Sequence, residues 1–369
     1  MAWLIVACLA TSFCVSCLAT AVMRWLAPRI GLLDQPNARK VHLSPIPLGG
    51  GLGVLAGVTL PLLAVYCGAV SIAGLKQIPS WLPPEWAEHA GGVAYRATGL
   101  FRLLAAGLVI SGLGLLDDIR PLPWRPKLLV QFLVAGGLVA SGVRATLFTQ
   151  APWVGDLVTV FWIVGLTNAF NFLDNMDALS GGIGCIASLV FATILLTGTA
   201  VPHWFVAGFL LLIAGSLGGF LVHNWPPAKI FMGDAGSCLI GLWIASLTIL
   251  GTFYDEHQVG RHVILAPLCV LAVPLYDFAS VMIIRLRQGR SPFHADKSHF
   301  SHRLVELGLS KKAAVLTIHL VTLMTGLAGL LLYQVRDWTG SLLVLILVLC
   351  ALAVIAILET AGRRRRDAE

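Results

Sequence analysis

Apolar runs of roughly 20 residues recur from one end of the chain to the other, each long enough to cross a bilayer as a helix. That pattern excludes most soluble folds, because a backbone in hydrocarbon must satisfy its own polar groups within a helix or a closed barrel. Eleven runs are read, at about 3–25, 48–68, 98–116, 127–144, 153–170, 181–200, 204–222, 236–254, 262–284, 312–333 and 340–358. Composition agrees: 57% of the 369 residues are hydrophobic and 12% charged, with mean hydropathy +0.86. Soluble domains carry about 25% charged residues. The expectation is an all-α, polytopic membrane protein with about 11 transmembrane helices, forming one integral-membrane domain over residues 1–369. The first run has no basic segment before it and Arg24 after it, which reads as a retained span and not as a cleaved signal peptide.

With the N-terminus outside, alternation puts segments 26–47, 117–126, 171–180, 223–235, 285–311 and the tail from Glu359 on the inner side. Of the 25 lysines and arginines, all but Lys76, Arg96, Arg102, Arg144, Arg261 and Arg336 lie in or beside those segments. The positive-inside rule then sets the C-terminus in the cytoplasm. The Arg363–Arg366 run reads as an orientation anchor on anionic headgroups. A net charge of +7 suits anionic lipid or an anionic substrate and gives no reason to expect nucleic acid. The eight cysteines are scattered, and the Cys14–Cys17 CxxC lies inside the first span, where inert buried thiols are expected. The outer stretch IPSWLPPEWAEH, within 69–97, suits an interfacial segment. No internal repeat of the kind seen in many transporters is visible.

Polarity gathers where these runs end on the inner side. NAFNFLDNMDALSGG, residues 168–182, is the densest example. LGLLDDIRPLPWRPK ends one span and starts the next, HNWPPAKIFMGDAGS leads into another, and DFASVMIIRLRQGRSPFHADKSHFSH runs from Asp277 to His302. Carboxylates at membrane depth are costly and point to function by default. Taken singly, Asp234 also reads as a helix N-cap, and Asp117 with Asp118 as a solvated loop edge before Pro121 and Pro123. Taken together, Asp117, Asp118, Asp174, Asp177, Asp234 and Asp277 on one membrane face repel each other unless cations compensate. Carboxylate and amide oxygens are the ligands a hard divalent ion prefers. Helical spacing sets Asn168, Asn171 and Asn175 on one face, with Asp174 and Asp177 turning toward the same cleft. Mg²⁺ binds through one or two protein oxygens plus substrate phosphates, while Arg and Lys hold the remaining phosphate charge. The expected site is therefore an inner-face cleft for a diphosphate with Mg²⁺.

Zinc is disfavoured, because His294, His299 and His302 have no cysteine beside them and stand among carboxylates. His299 and His302 suit contact with phosphate or sugar, weighed against a solvated loop feature, whereas His319, alone in an apolar run, reads as a satisfied core residue. Neither a P-loop nor a dinucleotide-binding glycine motif is present.

In this order, GLLDQPNARKVHLSPIPLGGGL, LLDDIRPLPWRPKLLVQ, NAFNFLDNMDALSGG, NWPPAKIFMGDAGS and GRSPFHADKSHFSHRL resemble the polyprenyl-phosphate N-acetylhexosamine-1-phosphate transferase family, of the glycosyltransferase family 4 type. The match covers nearly the whole chain, and GRSPF with eleven spans is most similar to the bacterial UDP-GlcNAc:undecaprenyl-phosphate branch. The resemblance implies that a lipid phosphate attacks the β-phosphate of a UDP-N-acetylhexosamine, giving a lipid-linked diphospho-sugar and UMP at the start of cell-envelope glycan synthesis. It implies Mg²⁺, with Mn²⁺ as a substitute, held by Asn171 and Asp234. Asp117 and Asp118 then sit by the acceptor phosphate as catalytic carboxylates, and Lys127 meets the phosphates. His299 and His302 fall near the diphosphate or sugar, and Phe231 stacks on uracil. Asp174 and Asp177 lie by the nucleoside, with Asn168, Lys40 and Arg290 also binding substrate. The site is built from 26–47, 117–127, 168–182, 223–237 and 285–311, on the cytoplasmic face of the inner (plasma) membrane, with a homodimer left open. Ser301 stands where the family commonly has histidine, which bears on sugar preference and not on reaction class. Phospho-MurNAc-pentapeptide transferase is the alternative within the family. A membrane phosphatase shares the metal logic but needs neither Phe231 nor a lipid acceptor. A proton- or Na⁺-coupled transporter would put its acids near the bilayer midplane, not at span ends.

Overall fold

A computed structural model of the chain describes residues 2–36, 44–75, 84–145, 151–199, 201–251, 260–291, 298–335 and 337–366, with backbone only for 84–89 and 361–366. It is helical almost throughout. The helices are α1 (Ala2–Leu26), α2 (Gly50–Ala73), α3 (Pro84–Ile119), α4 (Trp124–Ala140), α5 (Pro152–Leu173), α6 (Leu179–Thr193) and α7 (Trp204–Asn224). They continue as α8 (Asp234–Leu250), α9 (Ala266–Val270), α10 (Ala272–Arg287), α11 (Phe300–Glu306), α12 (Lys311–Leu331) and α13 (Trp338–Arg366). A two-residue antiparallel pair, β1 (Leu33–Asp34) with β2 (Ile46–Pro47), closes the segment between α1 and α2.

Each of the eleven apolar runs is helical over most of its described residues, but eleven full spans do not follow. Among the described residues, eight helices are long and apolar enough to cross a membrane, and a ninth results if the pair Arg261–Val270 and Ala272–Arg287, bent by 66°, counts as one span. The 262–284 run is thus broken at Leu271, which its uniform hydropathy did not signal. α4 and α8 stop at 17 residues, about 25 Å of helix against roughly 30 Å of hydrocarbon. Of the stretch IPSWLPPEWAEH, residues from Pro84 onward form the first turns of α3, ahead of its membrane-length part Ala90–Ile119, and 78–83 lie outside the described residues.

α8 tolerates its shortness because protein, not lipid, surrounds it. Every residue from Ala235 to Thr248 is buried, as expected of a helix apolar on all sides. It packs against α2, α3, α5, α6 and α7. Glycines bring those backbones close. A Cβ at Gly51 would stand 2.3 Å from the Gly236 nitrogen, one at Gly114 2.4 Å from the backbone of Asp234 and Ala235, and one at Gly241 2.5 Å from the Leu166 carbonyl. Small-residue contacts of this kind are how helices associate where no hydrophobic drive separates protein from lipid. Their consequence here is positional: the first turn of α8 is wedged between the start of α2 and the end of α3.

Candidate active site

The polar ends of these helices meet at one end of the bundle. Asp234 opens α8, preceded by Gly233 at φ +73. Its side chain does not cap its own helix. Asp118, at the end of α3, does so from outside: Asp234 N–H donates to Asp118 Oδ1 at 2.9 Å and Ala235 N–H to Asp118 Oδ2 at 3.3 Å. A carboxylate on otherwise unpaired N-terminal donors is the stabilising arrangement for a helix start. The Asp234 carboxyl is thereby released toward other partners. Lys127 Nζ lies 3.3 Å from Asp234 Oδ2 and 2.8 Å from Asp117 Oδ2. Asp117 Oδ1 also accepts from Leu122 N–H at 2.6 Å, and the Asp117 and Asp234 carboxyls lie within hydrogen-bonding reach of each other. Asn171, on the last turn of α5, lies beside Asp234 and donates to Ser237 Oγ at 3.1 Å.

Asp174 follows immediately after α5 and accepts from Gly233 N–H. Burial first, then the carboxylates of Asp234, Asp118 and Asp177, hold its carboxyl well above the usual carboxylate range. The Lys127 ammonium thus contacts Asp117 and Asp234, while Asp118 and Asp174 crowd against Asp234 and accept from backbone N–H groups at the start of α8. A cation is what such a set lacks. Among the described residues no three His, Cys, Asp or Glu side chains form a ready-made metal cage. Mg²⁺ does not require one, since it keeps waters and substrate phosphates in its shell. Carboxylate oxygens joined by the Asn171 amide, in a crowded acid cluster, suit that ion.

The other predicted residues divide. Asp177 Oδ2 accepts from Ala228 N–H at 2.9 Å, linking the 171–180 turn to the segment before α8. The expected common face of Asn168, Asn171 and Asn175 does not hold as a metal face, because α5 ends at Leu173. Asn168 donates to Gln131 Oε1 at 2.6 Å and to the Val164 carbonyl at 2.8 Å, bracing α4. Asn175 donates to the Phe172 carbonyl and accepts from Ser301 Oγ at 2.5 Å. Phe231 pairs by backbone with Pro47 and Gly50, at 2.8 and 2.9 Å, and its ring packs beside the Ala27, Leu32 and Leu48 cluster. Arg290 is exposed past α10, with its guanidinium on Gln288 Oε1. Lys40 and His294 lie outside the described residues. His319 Nε2 donates to the Ala178 carbonyl at 3.1 Å, as a satisfied packing residue would.

His299 is buried, and its Nδ1–H donates to Asp277 Oδ2 at 2.9 Å, while Phe300 N–H donates to Asp277 Oδ1 at 2.6 Å. Asp277 is therefore matched to a histidine and a helix start, and does not belong to the mutually repelling set. The His299 ring stands edge-on to Phe172 at 5.8 Å, next in sequence to Asn171, and 6.4 Å from the His302 ring. Asn224 was visible in its motif but had no role assigned. It accepts from Ala178 N–H at 2.7 Å and donates to the Ile230 carbonyl at 2.8 Å, tying two site segments together where Ala178 takes φ +64.

The glycosyl transferase family 4 profile matches residues 100–252, a stretch holding Asp117, Asp118, Lys127, Asn171, Asp174, Asp177 and Asp234. A Bacillus subtilis (strain 168) protein named probable undecaprenyl-phosphate N-acetylglucosaminyl 1-phosphate transferase is 32% identical over 339 residues, covering 89% of this chain and 85% of its own. A Mycobacterium tuberculosis (strain ATCC 25618 / H37Rv) protein named decaprenyl-phosphate N-acetylglucosaminephosphotransferase is 34% identical over 374 residues, covering 95% and 88%. An Escherichia coli (strain K12) protein named undecaprenyl-phosphate alpha-N-acetylglucosaminyl 1-phosphate transferase is 29% identical, covering 88% and 83%.

Proposed function

This chain belongs to the glycosyl transferase family 4, and from that premise we propose that it moves N-acetylglucosamine 1-phosphate from UDP-GlcNAc to a polyprenyl phosphate, releasing UMP. The observation that carries the reading is the acid cluster at the bundle end, where Lys127 bridges Asp117 and Asp234, and Asp118 and Asp174 crowd against Asp234 beside Asn171. A phosphate oxygen of the lipid attacks the β-phosphorus of the nucleotide sugar. The bond from that phosphorus to the bridging oxygen breaks, and UMP leaves with the electron pair. Phosphoryl transfer asks a protein for alignment and charge neutralisation more than for covalent chemistry.

The residues divide that work. Lys127 meets phosphate oxygens and keeps Asp117 and Asp234 apart in charge. Asp117 lies at the end of α3, at the membrane edge where a lipid headgroup is confined, which raises the headgroup's effective concentration. Asp118 works through the fold, since its hydrogen bonds to the first turn of α8 fix Asp234. Asp234 and Asn171 would hold Mg²⁺, which when bound would supply charge neutralisation for the diphosphate. His299 and His302 face the diphosphate or sugar. The reading sets this end of the bundle in the cytoplasm, in accord with the basic segments, and the protein in the plasma membrane as a multi-pass enzyme.

The test is purified protein with undecaprenyl phosphate, Mg²⁺ and UDP-GlcNAc beside UDP-GalNAc. The expected result is UMP and lipid-linked diphospho-sugar in equal amounts, with UDP-GlcNAc preferred. Nucleotide cleavage that does not depend on the lipid would point instead to a phosphatase and end the reading.

A further inference from the structure

The last helix, α13, is mainly a lipid-facing element, exposing Leu342, Leu343, Leu347, Val354, Ile357 and Leu358. It carries one acid, Glu359, which none of the recognisable motifs includes. A carboxylate at membrane depth is costly without partners, and Glu359 is only 6% exposed. Its Oε2 accepts from the Tyr276 hydroxyl of α10 at 3.0 Å. Arg303 Nε of α11 lies 3.0 Å from the same oxygen, as an ion-pair contact without hydrogen-bond alignment. Charge, more than a directed hydrogen bond, therefore joins the two.

Arg303 reaches back to the catalytic end. Its guanidinium donates to the Ser298 carbonyl at 3.0 Å, one residue before His299, and to Ser280 Oγ of α10 at 2.9 Å. It is 3% exposed, so its charge depends on a buried counter-charge. The backbone that presents His299 is thus held on both sides. Asp277 takes the His299 ring and the Phe300 N–H, while Arg303 takes the Ser298 carbonyl and is itself held by Glu359. Tyr276 closes the set, edge-on to Phe300 at 5.7 Å.

We infer that Glu359 is a positioning residue for the transfer reaction, acting from the lipid-facing last helix through Arg303 to fix the segment that presents His299. The inference rests on the reading above, in which His299 faces the phosphates or sugar. Remote groups matter in this way because displacing a reacting group by about 1 Å costs on the order of a hundredfold in rate. Glu359 contacts neither substrate, so its loss should appear in turnover and not in substrate KM.

The experiment is a double-mutant cycle on purified protein, with radiolabelled lipid product as readout. Glu359→Gln keeps the shape and removes the charge. It should lower kcat about tenfold to a hundredfold and leave the KM for UDP-GlcNAc within about twofold, in protein that elutes as the wild type does and melts lower because buried Arg303 loses its counter-charge. If Glu359→Gln is not recovered folded, Glu359→Asp, which keeps the charge with a shorter reach, carries the same comparison. In a His299→Ala background, Glu359→Gln should have little further effect, because groups acting as a unit are not additive. Losses that multiply would overturn the inference and leave His299 in the site. Full activity of His299→Ala itself would remove both the inference and the role assigned to that histidine.

Discussion

Two acid clusters stand near each other at the same end of this bundle, and they are built on opposite principles. Around α3, α5 and α8, Asp117 and Asp234 share the ammonium of Lys127, while Asp118 and Asp174 crowd against Asp234 and accept from backbone N–H groups at the start of α8. Around α10, α11 and α13, each acid has its own base: Asp277 has His299, and Glu359 has Arg303. The first cluster holds more carboxyls than contacting cations, which is why we propose that a divalent ion and phosphates complete it. In the second, each acid has a partner side chain of its own, and the set ties α10, α11 and α13 together. Counting acids along one membrane face hides this difference, which appears only when each acid is assigned its partner.

The comparison can be broken by removing one charge from each side. Asp234→Asn should leave a folded protein with turnover reduced about a thousandfold, the scale seen when a main charge-stabilising group is removed; UMP release at saturating substrate measures it. Near-normal turnover would show that the charge deficit is incidental. Arg303→Ala should act first on stability. It leaves Glu359 buried without its counter-ion, at a cost of about 3 kcal/mol or more, read by thermal unfolding in detergent.

A smaller effect sharpens the contrast through pH. Burial, and after it the neighbouring carboxylates, raise Asp174, so the folded protein keeps a proton there that the unfolded chain releases. Stability of the metal-free protein should fall as pH rises above the ordinary carboxylate range, toward the raised value. Divalent binding needs the ionised carboxylates, so the stabilisation by millimolar Mg²⁺ should be greater at pH 8 than at pH 6. Thermal shifts at the two pH values test this, and equal shifts would count against it. The smallest change expected is that of Ser301→Ala, which removes one hydrogen bond to Asn175, about 1 kcal/mol. It should alter turnover no more than about fivefold.

Much of this was legible in the sequence for a simple reason: a carboxylate in an apolar chain is conspicuous. Asp117, Asp118, Asp174 and Asp234 stood out at run ends, and alternation brought those ends to one side. Their partnerships were not legible. Asp118 caps a helix 116 residues away, and Arg303 meets Glu359 across the α12 hairpin, where no local pattern constrains either. The asparagine face failed because the i, i+3, i+7 spacing assumed a helix that stops at Leu173. The break at Leu271 was hidden in a run whose hydropathy is continuous across it. The burial of α8 was hidden too, since an apolar helix sheathed in protein looks the same in sequence as one facing lipid.

The central claim is that the charge-deficient cluster works only with a divalent cation in it. Turnover of purified protein with UDP-GlcNAc and undecaprenyl phosphate, titrated with Mg²⁺ after exhaustive chelation, tests it most directly. The account predicts no UMP release without the ion and saturable recovery on its return, with recovery lost in Asp234→Asn. Full turnover in excess chelator would contradict it.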